Sequence, residues 1–196
     1  SSDLEIDEIL SSELVSMGTH RSIEYAELLD EADSIQLTNT DMCLELKTWL
    51  RAERKLNARD GLSSLLLDLK FYEAKALQFL FTPWIHRAFK YINIGKLLTR
   101  SRSNMLKTNS YLISFSINEE FSPDDLLNAG RSILQNWCLL NKNGYSLHPM
   151  SQLIDIEQTS KKLNNEINKE NNLQIIFIAR VGYSESTTGR SRRIIE

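Results

Sequence analysis

The chain has 196 residues, 41% of them hydrophobic, and a formal net charge of −3. That length suits one domain, or one with an appendage, and is enough to bury a real core; the charge offers no global attraction to nucleic acid or anionic lipid. No stretch approaches the roughly 18 apolar residues of a membrane span and no signal peptide opens the chain, so the expectation is a cytoplasmic protein without a membrane partner.

In chain order, Leu4, Ile6, Ile9, Leu10, Leu14 and Met17 recur on one helical side, and Gly18 is expected to end that helix. Arg21 to Ala32 reads as a second short helix, and Ser34 to Leu37 as an edge strand or an extended link. Thr38, Asn39 and Thr40 are all capable caps for a helix that turns Met42, Leu46, Trp49 and Leu50 inward. Arg59, Asp60 and Gly61 make a turn before a leucine-rich stretch, Leu62 to Leu69. Phe71 to Leu98 is helical in pattern, but Pro83 lacks an N–H and should break it into helix, corner and helix. Residues 96–107, KLLTRSRSNMLK, hold four basic side chains and no acid. They are read as a solvated loop, because no aromatic platform is interleaved for bases to stack on. No nucleic-acid partner is expected.

Tyr111 to Ile117 alternates large apolar residues with smaller ones, which is strand periodicity. Ser122, Pro123, Asp124 and Asp125 then supply a cap, a first-turn proline and negative charge where a helix N-terminus favours them. The helix carries Leu126, Leu127, Gly130, Ile133, Leu134, Trp137 and Leu140 as its expected buried face, and Asn143 and Gly144 end it. It should empty into a proline-centred loop, Tyr145 to Gln152. A polar helix around Glu157 to Glu170 follows, with Ile156, Leu163 and Ile167 inward, and then Leu173 to Val181 as a central strand covered on both faces. Cys43 and Cys138 sit far apart inside helical patterns without CxxC spacing, and read as reduced core thiols. The economical architecture is one α+β domain over residues 1–196 with a helix-rich N-terminal half, beginning at Ser1 as a trimmed chain or the tail of a longer polypeptide.

No dinucleotide fingerprint, P-loop, zinc-protease or nucleophile-elbow motif is present, and no spacing gathers metal ligands. His20, His86 and His148 each stand alone in sequence. Tyr183 to Arg193, YSESTTGRSRR, joins arginines and hydroxyls just after the last strand, as a phosphate grip or as a basic tail.

The stretches AGRSILQNWCLLNKNGYSLHPMSQL, QIIFIARVGYSE and GRSRRIIE resemble the C-terminal half of the nitroreductase-like flavoprotein family. The matching positions are Ala129, Gly130, Gln135, Gly144, Pro149, Met150, Phe177, Arg180, Val181, Gly182, Tyr183, Arg192 and Arg193. Upstream, LELKTWLRAERKLNARDGL resembles the divergent branch of that family, whose members are sometimes fused to an adenylating-enzyme-like domain; together the matches cover about residues 40–70 and 122–196.

The resemblance implies an FMN-binding α+β fold, a sheet flanked by helices, with flavins at the interface of two units. It implies that Pro149, Met150, Ser151 and Gln152 run along the reactive edge of the flavin, with the Ser151 backbone N–H as donor, and that Arg192, Arg193 and Arg190 hold the phosphate. At the front, where the family opens with an Arg-Arg-Ser helix, this chain has His20, Arg21 and Ser22, so Arg21 and Ser22 inherit that contact. The family's Pro-Ser-x-x-Asn segment has no counterpart between Leu37 and Glu45. Either a preceding domain supplies that half of the site or the unit has lost its flavin. Two expectations follow. One is an FMN oxidoreductase domain passing a hydride from NAD(P)H to an organic acceptor, with no metal and no titratable catalytic side chain. The other is a non-catalytic module that offers a dimerisation surface to a second copy or to an adjacent domain.

Overall fold

The alternation at Tyr111 becomes one strand of a four-stranded antiparallel sheet in a computed structural model of the chain, which describes residues 6, 10, 15–55, 60–65, 67, 69–90, 110–168 and 172–183. The sheet belongs to the first of two units, Ser1–Asp33 with Thr99–Glu185; the second is Ser34–Leu98 with Ser186–Glu196. Its spatial order is β1 (Ser16–Arg21), β4 (Tyr111–Asn118), β6 (Leu173–Tyr183) and β5 (Tyr145–Pro149). Helices flank it, as the α+β expectation requires.

β4 is buried from Leu112 to Ile117, so both its faces are covered. Ile113, Phe115 and Ile117 join Val181, Tyr145, and Ala129 and Leu140 of the long helix α5 (Pro123–Lys142) in one core. Burying a side chain such as Phe115 completely contributes about 1.5–3 kcal/mol. Phe177 crosses from β6 to meet Phe115 edge-on at 5.8 Å and Trp137 at 5.9 Å between ring centres. The residues between these, Ser114 and Ser116, meet His20 and Asn168 through their hydroxyls. A bulge at Phe115 and Ser116 makes Ile175, rather than Ile176, the partner of Ser116. The Ile175 N–H then donates to Asn164 Oδ1 at 2.8 Å, tying β6 to α7 (Glu157–Ile167). Glu31 of α1 (Ala26–Thr38) receives Lys162 of α7 at 2.6 Å, so these two helices are tied together as well.

Several expectations are corrected. Ile6 is helical and buried, but most of the first expected helix lies outside the described residues. Gly18 does not stop a helix; it lies in β1, where a Cβ would come within 2.9 Å of His20 Nε2, so its role is clearance. Ser34 to Leu37 is the last part of α1, not a strand, and Thr38 closes that helix by donating its hydroxyl to Ser34 O at 2.8 Å. Residues 145–149, expected as loop, form the edge strand β5. Pro149 stands at its end, a position that tolerates a missing N–H. The buried face of α5 is Ala129, Ser132, Asn136 and Leu140. Ile133 and Trp137 are half-buried, while Leu126, Leu127 and Leu134 are exposed. The apolar arc is wider than one face, and the small residues are the ones against the sheet. Asn136 is tolerated there because its amide donates to Ser132 O at 2.9 Å. The caps and stops hold: Ser122 Oγ accepts from Asp125 N–H, and Gly144 takes φ +85°.

In the second unit, Asn39 caps α2 (Thr40–Trp49) by accepting from the N–H groups of Asp41 and Met42. Cys43 is buried and Trp49 is exposed, the reverse of the inward role expected for the tryptophan. β2 (Leu50–Arg51) and β3 (Leu62–Ser63) form a short parallel pair around the Arg51–Asp60 ion pair. Pro83 does make a corner, between α3 (Phe71–Leu80) and α4 (Pro83–Lys90). The buried His86 ring donates from Nε2 to Leu37 O at 2.8 Å, since a carbonyl only accepts. In the neutral ring Nδ1 is therefore the acceptor, facing Thr40 Oγ1 at 3.2 Å.

Candidate functional site

The turn from β5 into α6 (Gln152–Asp155) is built by three residues of different character. Met150 is buried and continues the ladder by one bond, its N–H donating to Ile178 O at 2.9 Å. Ser151 is exposed, with φ −59° and ψ −30°, and its carbonyl accepts from the N–H groups of Ile154 and Asp155. The Ser151 and Gln152 N–H groups take no hydrogen bond among the described residues. Two outward backbone donors are thus held by a packed methionine below and a closed helical turn behind.

At the other end of β5, Tyr145 and Tyr183 stack at 4.4 Å and 30°, beside Gly144. His148 pairs with Arg180 across β5 and β6, Arg180 with Leu112, and Leu112 with His20, so one row of the sheet reads His20, Leu112, Arg180, His148. His20 Nε2 is 2.8 Å from Ser114 Oγ, and its ring meets Tyr25 edge-on at 5.8 Å. Burial pushes the Tyr25 phenol up to about 12, with Glu166 and Glu24 adding to it, so Tyr25 stays neutral at physiological pH. Ser114 is itself buried, which leaves this serine–histidine pair no approach for a substrate.

The other expected contacts fall apart in space. Arg21 is exposed at the end of β1, opposite Tyr111, which lies opposite Val181 and then Leu147. Three strand spacings, about 14 Å, separate it from β5. Ser22 is fully buried, 2.7 Å from Ser110 Oγ, so its hydroxyl faces the interior. Arg21 and Ser22 are therefore not brought to the Pro149–Gln152 turn within one chain. Arg190, Arg192 and Arg193 lie outside the described residues, as does the 96–107 segment.

An open cleft of about 490 Å³ is lined by Glu119, Asp155, Glu157, Lys161, Asn164 and Gln174, among others. Lys161 is already paired with Glu157, whose carboxyl it holds below the usual range. The remaining acids make this wall unsuited to a phosphate. Burial lifts the Cys43 thiol to about 11, which makes it an unreactive packing group. Among the described residues no three metal-binding side chains cluster, and no helix is long and apolar enough to cross a membrane.

Compared with protein-family models, with curated proteins and with solved structures, the chain matches none.

Proposed function

We propose that the chain is a nitroreductase-like FMN oxidoreductase domain that passes a hydride from NAD(P)H to an organic acceptor. The observation that carries this reading is the Ser151 N–H, a donor with no partner among the described residues, beside a sheet edge and at the residue where the sequence resemblance puts the flavin contact. FMN, when bound, would supply the two-electron chemistry. The chain's part is to orient and stabilise. Met150 fixes the turn from beneath, and Ser151 N–H offers a fixed dipole to charge that develops on the ring, a role that needs no titratable side chain. Arg190, Arg192 and Arg193 would hold the phosphate, with Arg21 of a second copy or an adjacent domain completing the grip.

The test is the near-ultraviolet and blue absorbance of the purified protein, with an FMN titration. Ser151→Pro is the sharper probe. The residue already has a proline-compatible φ, and Met150 continues the strand pairing, so the substitution removes the N–H with little other change. FMN-dependent turnover should fall roughly 100-fold in Ser151→Pro and stay near wild type in Ser151→Ala. Colourless protein that shows no thermal shift with FMN would end this reading.

A second reading, a non-catalytic module that pairs with another copy, is favoured by the outer face of α5. Leu127 and Leu134 are 64% and 62% exposed, and Leu126 and Leu139 are also uncovered. Sedimentation would show a flavin-free dimer that Leu127→Glu with Leu134→Glu converts to monomer; a wild-type monomer would exclude it.

A further inference from the structure

Residues 34–98 hold ten Lys and Arg against six Asp and Glu, a surplus of four positive charges inside a chain whose total is −3. At the start of α3 that surplus meets aromatic rings. Lys70 Nζ lies 5.8 Å from the centre of the Tyr72 ring. The Arg54 guanidinium carbon and Lys75 Nζ lie 4.8 and 5.9 Å from the centre of the Phe71 ring. All three cations are exposed, and none has a carboxylate partner among the described residues. Of the described acids close to them in sequence, Asp60 holds Arg51, Glu53 accepts from Ser63 Oγ, and Glu73 accepts from the Lys70 N–H at 2.8 Å; Asp68 lies outside the described residues.

Further along the helix, Tyr72, Lys75 and Phe79 stand at i, i+3 and i+7 and share one face. Tyr72 and Phe79 are 62% and 61% exposed and about 10 Å apart along the axis. Rings alternate here with cations that no described carboxylate pairs with. We propose that this face of α3 binds single-stranded nucleic acid, bases stacking on Tyr72 and Phe79 while phosphates meet Lys70, Lys75 and Arg54. The face is a helix surface rather than a concavity, which suits a polymer better than a free nucleotide. An apolar protein partner would leave the three cations without counter-charges. Residues 96–107 and the whole-chain charge have no bearing on a face that needs Arg54 beside Phe71.

The test is fluorescence anisotropy of a labelled 15-residue oligothymidine titrated with the full chain at 50 mM salt, beside a 15-base-pair duplex and a polyglutamate of equal length. The single strand should bind at least tenfold more tightly than either competitor, because only it offers free base faces. Tyr72→Ala and Phe79→Ala should each weaken it roughly tenfold. Lys70→Ala with Lys75→Ala should flatten the plot of log affinity against log salt by about 1.4. Both aromatic residues are exposed, so far-ultraviolet circular dichroism should be unchanged; if it is not, Tyr72→Phe, which keeps the ring, must restore binding. No anisotropy change up to about 100 μM, equal binding of polyglutamate, or an affinity indifferent to loss of both rings would overturn the proposal.

Discussion

The two units differ in which apolar residues they enclose and which they leave open. The largest fully buried side chains, among them Phe115, Leu112, Ile113, Leu140, Leu153, Leu163 and Ile178, all fall in Ser1–Asp33 and Thr99–Glu185. The 34–98 stretch buries Leu50, Phe81 and Ile85 and exposes Trp49, Leu62, Leu65, Leu67, Tyr72, Phe79 and Trp84, four of them aromatic, whereas most of the large apolar residues that the sheet unit exposes are leucines of α5. Its fixed points are largely polar: His86 on Leu37 O, Gln78 on Leu50 O at 2.8 Å, and Lys47 on Thr82 Oγ1 at 2.9 Å. Among the described residues the sheet unit closes around the larger enclosed side chains, while the 34–98 stretch joins a smaller buried set to these hydrogen bonds and leaves Tyr72, Phe79 and Trp84 uncovered.

The division can be broken first at Phe115. Phe115→Ala should cost about 3–5 kcal/mol, since the ring is completely enclosed between β1, β6 and α5. Chemical denaturation followed by circular dichroism would measure it, and a loss under 1 kcal/mol would mean the sheet core is looser than described. A smaller and more local effect is expected at His86. His86→Ala leaves the Leu37 carbonyl with only the weak Cys43 thiol as donor, a cost of about 1–3 kcal/mol. Hydrogen exchange should accelerate in residues 34–49 while β4 and β6 keep their protection; equal acceleration in both would show that the two units unfold together.

The smallest effect is at Asp125. The Ser122 N–H and hydroxyl hold its carboxyl below the ordinary 3.8. The folded value lies under the unfolded one, so the stabilisation is present above about pH 4 and is lost as pH falls through the folded value. The group is exposed, and the gain is correspondingly slight. An NMR titration of Asp125 should show the depressed midpoint, and Ser122→Ala, which removes the hydroxyl but keeps the backbone N–H, should raise it only part of the way to the ordinary range.

Much of the sheet unit was legible because its signals are local. Ser122 with Asp125, Gly144 and the Tyr111 alternation each need only a few neighbouring residues to be read, as does the Pro83 corner in the other unit. The failures have one cause, which is that edge strands are fixed by partners far away in sequence. β1 offers only Met17 as a large apolar residue and is held by β4, some 94 positions on. β5 has five residues and a proline, so nothing but its pairing with β6 distinguishes it from a loop. Likewise, the inward face of α5 runs through Ala129, Ser132, Asn136 and Leu140, a choice made by the elements it packs on and not by the helix's own apolar pattern. The candidate turn was found from family likeness at Pro149 and Met150, whereas the basic and aromatic face of α3 requires Arg54 and Phe71 to be brought together and left no signal in either stretch alone.

The pairing of β1 with β4 also sets an order of events for the nascent chain. Residues 16–21 are synthesised before β4, and among the described residues the strand they pair with lies 90 to 100 positions later. Closure entropy grows only logarithmically with length, and β4 and β6 are themselves 55 to 70 positions apart, so the delay is one of synthesis rather than of chain entropy. Until β4 emerges, residues 16–21 have no strand to pair with, and a chaperone or ribosome-bound factor would meet them as an open edge.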